Sequence, residues 1–135
     1  MPTPEFCASC AEEPNALLLQ GIALFNQREY FACHEVLEHA WNAERRGIRT
    51  FYKGILQVGV GAYHLLRQNY RGAIIKLESG ANYLLPYAPI CQQVAVDQLI
   101  ADAHRLRAAV IAHGPEHTLE VDRSLLPIIQ LVAME

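Results

Sequence analysis

From Pro14 onward, Leu17, Leu18, Ile22, Leu24 and Phe25 return at intervals that suit one face of a helix, which predicts a first helix over 14–26. A second follows from about Arg28 to Arg46 and stops at Gly47, a suitable C-terminal cap. The third, from about Thr50 to Gln68, is different in kind. Phe51, Tyr52, Ile55, Leu56, Val58, Val60, Ala62, Tyr63, Leu65 and Leu66 cover nearly its whole circumference, and such a helix is expected at the centre of a fold. Asn69 closes it, and a fourth helix carries Ile74, Ile75, Leu77, Leu84 and Leu85 before Pro86. Ala88-Pro89 is expected to open a fifth, with Val96, Leu99, Ile100, Ala103, Leu106 and Val110 in helical period up to Gly114-Pro115. The tail from Glu116 fits either a short helix or an extended segment laid on the bundle. No alternating strand pattern is seen. Short connections between periodic segments predict an all-α, compact antiparallel helical bundle of about five helices. Residues 1–13, with Cys7 and Cys10, read as an irregular N-terminal arm, and 14–135 as a single helical domain.

Composition narrows the function classes. With 52% apolar and 19% charged residues in a chain of 135, the sequence suits one globular domain with a sizeable core. The net charge of −3 and the dispersed arginines offer no basic field, so nucleic acid is not an expected partner. No basic-then-apolar leader is visible at the N-terminus, and the longest uncharged run, 54–66, is too short for a membrane span of roughly 18–20 residues. No membrane partner and a cytoplasmic location are therefore expected, with the four cysteines as free thiols and Cys33 and Cys91 as small buried hydrophobes.

Candidate chemistry gathers on the second and third helices. At about 100° per residue, His34, Leu37, Glu38 and Trp41 share an arc next to Tyr30 and Phe31, whereas Arg28, Glu35, His39, Asn42 and Arg46 form a separate polar stripe. The first arc predicts that His34 and Glu38 lie among large hydrophobes, where an unpaired polar group costs several kcal/mol. In an antiparallel hairpin centred near residue 49, His34 stands level with His64, Glu38 with Val60 and Gly61, and Trp41 with Gln57. Turning the stripe Lys53, Gln57, Gly61, His64 toward the second helix would bring His34, Glu38 and His64 together, with Gly61 leaving room for an ion or water. Two imidazoles and a carboxylate suit zinc, iron(II), manganese or nickel, and open coordination positions would serve metal-assisted hydrolysis of a small-molecule substrate. Gln57 would then act as an outer hydrogen-bond partner, Trp41 and Tyr63 as walls, and Glu35 as the candidate general base. The same residues also fit a second reading: a buried hydrogen-bond network fixing helix alignment in a non-catalytic interaction module, a homodimer. Two weaker signals are a half zinc site from Cys7 and Cys10 with His113 and His117, and an anion site at Arg45, Arg46 and Arg49. A solvated charged turn is the plainer reading of the latter.

The run His34-Glu-Val-Leu-Glu38-His-Ala-Trp41, preceded by Tyr30-Phe31 and followed by Gly54-Ile-Leu-Gln57, Tyr63-His64, Asn69 and Gly72-Ala73, resembles the bacterial and archaeal family called domain of unknown function 309. The resemblance spans about residues 15–90. It implies a compact all-α fold and the label of a metal-dependent hydrolase, with His34, Glu35, Glu38, Trp41, Gln57 and His64 at the positions of the family pattern.

Overall fold

In a computed structural model, which describes residues 8–132, five helices of eleven residues or more follow one another: α1 (Ala16–Asn26), α2 (Tyr30–Ala43), α3 (Arg49–Leu66), α4 (Tyr70–Leu84) and α5 (Val96–His113). Each packs on the next in sequence, the arrangement that short connections impose on an all-α bundle. As its all-round hydrophobicity requires, α3 buries Phe51, Tyr52, Ile55, Leu56, Val58, Ala62 and Leu65, and it forms the core with Leu18, Phe25, Leu37, Leu77 and Leu84 from its neighbours. None of the described helices is long and apolar enough to cross a membrane.

The first helix begins two residues later than Pro14, because the Asn15 side chain accepts the Leu18 N–H at 2.8 Å and caps it. Its far end uses no glycine. Arg28 takes a left-handed φ of 64°, its N–H bonds the Phe25 carbonyl at 3.0 Å, and the Glu29 N–H reaches back to Leu24 at 2.9 Å. The same reversal ends α3, with Gln68 at φ 63°, the Gln68 N–H on Leu65 at 2.9 Å and the Asn69 N–H on His64 at 2.8 Å. A side chain in this conformation is held at a cost of about 1 kcal/mol or more. We therefore expect Gln68→Gly to raise stability by about 0.5 kcal/mol after the greater freedom of glycine in the unfolded chain is deducted. A thermal melt reads the change, and a lowered midpoint would count against this account of the turn.

The stretch expected to open the last helix at Ala88-Pro89 does otherwise. A 3-10 turn, Leu85–Tyr87, leads into a short hairpin of β1 (Ile90–Cys91) and β2 (Val94–Ala95), and α5 starts only at Val96. Gln92 and Gln93 at the hairpin tip both have positive φ, 46° and 68°, the backbone that lets two strands reverse in two residues. The tail combines both forms anticipated for it. Two 3-10 turns, Thr118–Glu120 and Arg123–Leu125, precede an extended end that bridges Val94 to Leu131. Asn26 holds that end by both its amide atoms, donating to the Ile129 carbonyl at 3.0 Å and accepting the Ile129 N–H at 2.8 Å.

The expectation of four free thiols is corrected. Cys10 and Cys91 form a disulfide that ties the N-terminal segment to β1, while Cys33 is free and buried and Cys7 lies outside the described residues. With Cys10 so bonded, it is withdrawn from a zinc half-site. Part of the arm is also regular, residues 8–10 being helical. Arg46 grips Glu12 through two guanidinium nitrogens, at 2.6 and 3.0 Å, and bonds Glu44 as well. These bonds to Arg46 hold the Glu44 carboxyl down to about 2. Arg49 lies over the Trp41 ring, 4.3 Å from its centroid, so two of the three hairpin-tip arginines are already engaged.

Candidate functional site

The buried face of α2 is Tyr30, Cys33, Leu37 and Ala40, a stripe at helical spacing that points into the bundle. His34, Glu38 and Trp41 each follow a member of that stripe by one residue, which puts them about 100° round, on its shoulder beside α3. His34 and Glu38 do form the expected pair, Nε2 to Oε2 at 3.4 Å, but their side chains are 38% and 52% exposed. Neither is sunk among hydrophobes. Apolar neighbours in sequence exaggerated their burial, because Leu37 and Ala40 carry the packing.

On α3 the side facing this shoulder is Lys53, Gln57, Val60 and His64. Gly61 does not belong to it: a Cβ there would stand 2.8 Å from the Leu77 Cγ of α4, so this glycine makes room for a helix on the other side, not for an ion beside Glu38. The hairpin levels nevertheless match. Trp41 and Gln57 line one cleft together with His34, Glu38, Lys53 and Leu56, a space of about 160 Å³. His34 and His64 line the next hollow, of about 180 Å³, with Tyr30, Phe31, Val60 and Tyr63. His34 is the wall between them.

Gln57 lines the cleft, and its Oε1, closed off from solvent, has no hydrogen-bond partner among the described residues. Such an acceptor costs of the order of 1–3 kcal/mol unless a ligand or water meets it. The Lys53 ammonium lines the same space but rests on aromatic faces, 5.5 Å from the Trp41 centroid and 4.9 Å from that of Tyr83. Lys53 and Leu56 were not singled out from sequence as site residues, although the stripe through 53 and 57 was the available signal for the lysine.

His64 is drawn the other way. Asn69 accepts the Gly72 N–H on its Oδ1 at 2.9 Å, which caps α4, and this fixes its amide nitrogen toward the His64 Nδ1 at 3.3 Å. An amide nitrogen only donates, so Nδ1 accepts and the ring proton sits on Nε2. Burial, helped by the Lys76 charge, holds the pKa of His64 below the ordinary histidine value, and the ring is neutral at pH 7. Among the described residues no three His, Cys, Asp or Glu side chains gather closely enough to hold an ion, so the trio His34, Glu38, His64 is not brought to a common point. Glu35 faces outward with His39 and Asn42, in a shallow concavity of about 260 Å³ that shares His34 and Glu38 with the cleft. It does not line the cleft that Gln57 enters. His117 pairs with Glu120, Nδ1 to Oε2 at 2.6 Å.

The family model described as "Domain of unknown function (DUF309)" matches residues 18–75, the segment from α1 into α4 that contains the cleft and the hollow. An uncharacterized protein, YpuF of Bacillus subtilis (strain 168), is 34% identical over 61 residues, which are 44% of this chain and 35% of that protein. The chain thus spans about a third of that relative's length. No solved structure matches the chain. Segment 18–75 is thus similar to the DUF309 family.

Proposed function

We propose that the cleft between α2 and α3 is a divalent-cation site of a metal-dependent hydrolase acting on a small molecule. The observation that carries this reading is the buried, unpartnered Gln57 Oε1 in a cleft also lined by the imidazole of His34 and the carboxylate of Glu38. One nitrogen and two oxygen donors fit zinc, iron(II) or manganese, with positions left over for water. His34, Glu38 and Gln57 would hold the ion; a bound divalent cation supplies a water of lowered pKa and a Lewis acid. Glu38 contributes the negative charge that favours a cation, and Lys53 opposes it. The attraction of the lysine to Trp41 and Tyr83 gives it a place away from the donors, where it would meet an anionic or carbonyl group of a substrate. Glu35, on the outer side of the His34–Glu38 pair and outside the cleft, would exchange protons with solvent through that pair.

The alternative, an interaction module held by a buried polar network, needs these side chains covered. In the single chain they stand 38% and 52% exposed, where an i,i+4 pair is worth only about 0.3–0.5 kcal/mol to folding. A binding role suits that exposure better than a structural one.

Protein stripped with a chelator and titrated with Mn²⁺, followed by electron paramagnetic resonance, tests the reading. One ion per chain is expected, with affinity at least about tenfold weaker in His34→Ala and in Gln57→Leu while the helical circular dichroism stays unchanged. Equal affinity in the variants, or no stoichiometric uptake, sinks it.

A further inference from the structure

The basic residues near the tip of the α2–α3 hairpin differ in what neutralises them. Arg46 takes both nearby carboxylates, those of Glu12 and Glu44. Arg49 and Lys53 have no carboxylate partner among the described residues, and both lie against the single tryptophan of the chain. The Arg49 guanidinium carbon is 4.3 Å and the Lys53 ammonium 5.5 Å from the Trp41 ring centroid. Resting on one ring and standing one turn apart on α3, these like charges oppose each other. Arg49 is also the first residue of α3, whose opening turn carries no acid, so the helix dipole repels it as well. Glu38 lines the same cleft as Lys53, but its Oε2 is turned to His34, 3.4 Å from Nε2. Stacking on an indole attracts both cations without supplying a counter-charge.

We infer that the counter-charge is a phosphate group of the substrate, a small phosphorylated molecule held by Arg49 and Lys53 with its body along Trp41 and Leu56. Arg49 uses only Nε, on the Trp41 carbonyl at 3.3 Å, which leaves the outer edge of its guanidinium to donate. Lys53 lines the cleft and Arg49 is half-buried, so neither is shut inside the core. A planar fork that meets two oxygens and an ammonium that adds a point charge together suit a dianion. Along α3, Lys53 stands about 6 Å and Arg49 about 12 Å from Gln57. The phosphate is therefore a handle, set apart from the bond that reacts beside His34, Glu38 and Gln57. This deepens the hydrolase reading, on which the word substrate rests; the contact with phosphate itself needs no metal.

The sole tryptophan makes the contact measurable, because all indole fluorescence comes from Trp41. The full chain, in excess EDTA at constant low ionic strength, is titrated with inorganic phosphate and separately with acetate. Phosphate is expected to change the emission saturably, with a dissociation constant of about 5 mM or tighter, and acetate to bind at least about tenfold more weakly. Lys53→Met is expected to weaken phosphate about tenfold, and Arg49→Lys, which keeps the charge and loses the fork, about three- to fivefold, with helical circular dichroism unchanged. Arg45→Gln, which removes an exposed charge at the same tip, should change the affinity less than about twofold. Phosphorus NMR line widths repeat each titration without relying on the indole environment, which the variants alter. The inference is overturned if phosphate does not saturate, if acetate binds as tightly, or if Lys53→Met weakens binding no more than Arg45→Gln. Mn²⁺ uptake is read separately on the stripped protein, so a chain that takes up the ion and not phosphate loses this inference and keeps the cation site.

Discussion

Replacing Gly80 by alanine is expected to lower the unfolding free energy by about 2–3 kcal/mol, the scale of overpacking in a core that cannot give way. A methyl at this position would stand 2.7 Å from the Val58 backbone nitrogen and 2.9 Å from the Gly54 carbonyl oxygen. Both are main-chain atoms of α3, so no rotamer change relieves the contact; the two helices must part. Alanine's better helix propensity returns about 1 kcal/mol, which the quoted figure already includes. Gly21 is the contrasting case. A methyl there would meet only the Leu37 side chain, at 2.6 and 2.8 Å, and that side chain can shift, so Gly21→Ala should cost clearly less. Urea unfolding of the two variants side by side decides the matter, and equal midpoints would refute the close α3–α4 crossing. The consequence reaches the cleft, because Lys53 leans on Tyr83 of α4 and shares the face of α3 that carries Gln57.

The second large effect belongs to the bond between Cys10 and Cys91. These residues are 81 apart in sequence, and closing a loop of that length restricts the unfolded chain by about 4 kcal/mol in the chain-entropy account. Local bonds survive its loss: the Gln92 N–H donates to the Cys10 carbonyl at 2.8 Å, and the Gln92 amide nitrogen to the Ser9 carbonyl at 3.2 Å. The Tyr52 hydroxyl in turn donates to the Gln92 Oε1 at 3.3 Å. The Cys10→Ala/Cys91→Ala protein should therefore keep its fold and unfold at markedly lower urea than the oxidised protein. Added reductant should bring the native chain down to the same midpoint. If reductant leaves the midpoint where it was, the bond carries no stability. In a reducing cytoplasm, the location expected from sequence, the bond would stand open and the lower figure would apply.

Helical periodicity made α1 to α4 legible, along with the central place of α3, since residues apolar on every side can only be covered on every side. What failed did so for identifiable reasons. Arg28 and Gln68 end their helices in a backbone state usually marked by glycine, and the hairpin at Gln92 and Gln93 lacks the Asn-Gly pair that normally announces one. Pro89 therefore looked like a helix start. The partnership of Cys10 with Cys91 could not be read from spacing at all. In the candidate site, hairpin arithmetic set the heights, Trp41 by Gln57 and His34 by His64. It did not set the rotation. Lys53, Gln57 and His64 do lie on the face toward α2, but Val60 stands on it in place of Gly61, a turn of a few tens of degrees, and Asn69 holds the His64 ring. Lys53, in the stripe on the third helix, and Tyr30, in the run that carries the family resemblance, were given no role because a lone lysine and a core tyrosine name no chemistry by themselves.

The abrupt reversals at Arg28 and Gln68 bear on how the chain assembles. Each lets two rods zip together across a few residues, so most of the association happens between near neighbours along the polymer and little entropy is lost in bringing distant parts together. The outer straps are among the contacts most remote in sequence: Asn26 on Ile129, and the N-terminal segment on the β hairpin. Rapid collapse of the rods, with those straps fastening last, is the order that such a layout favours.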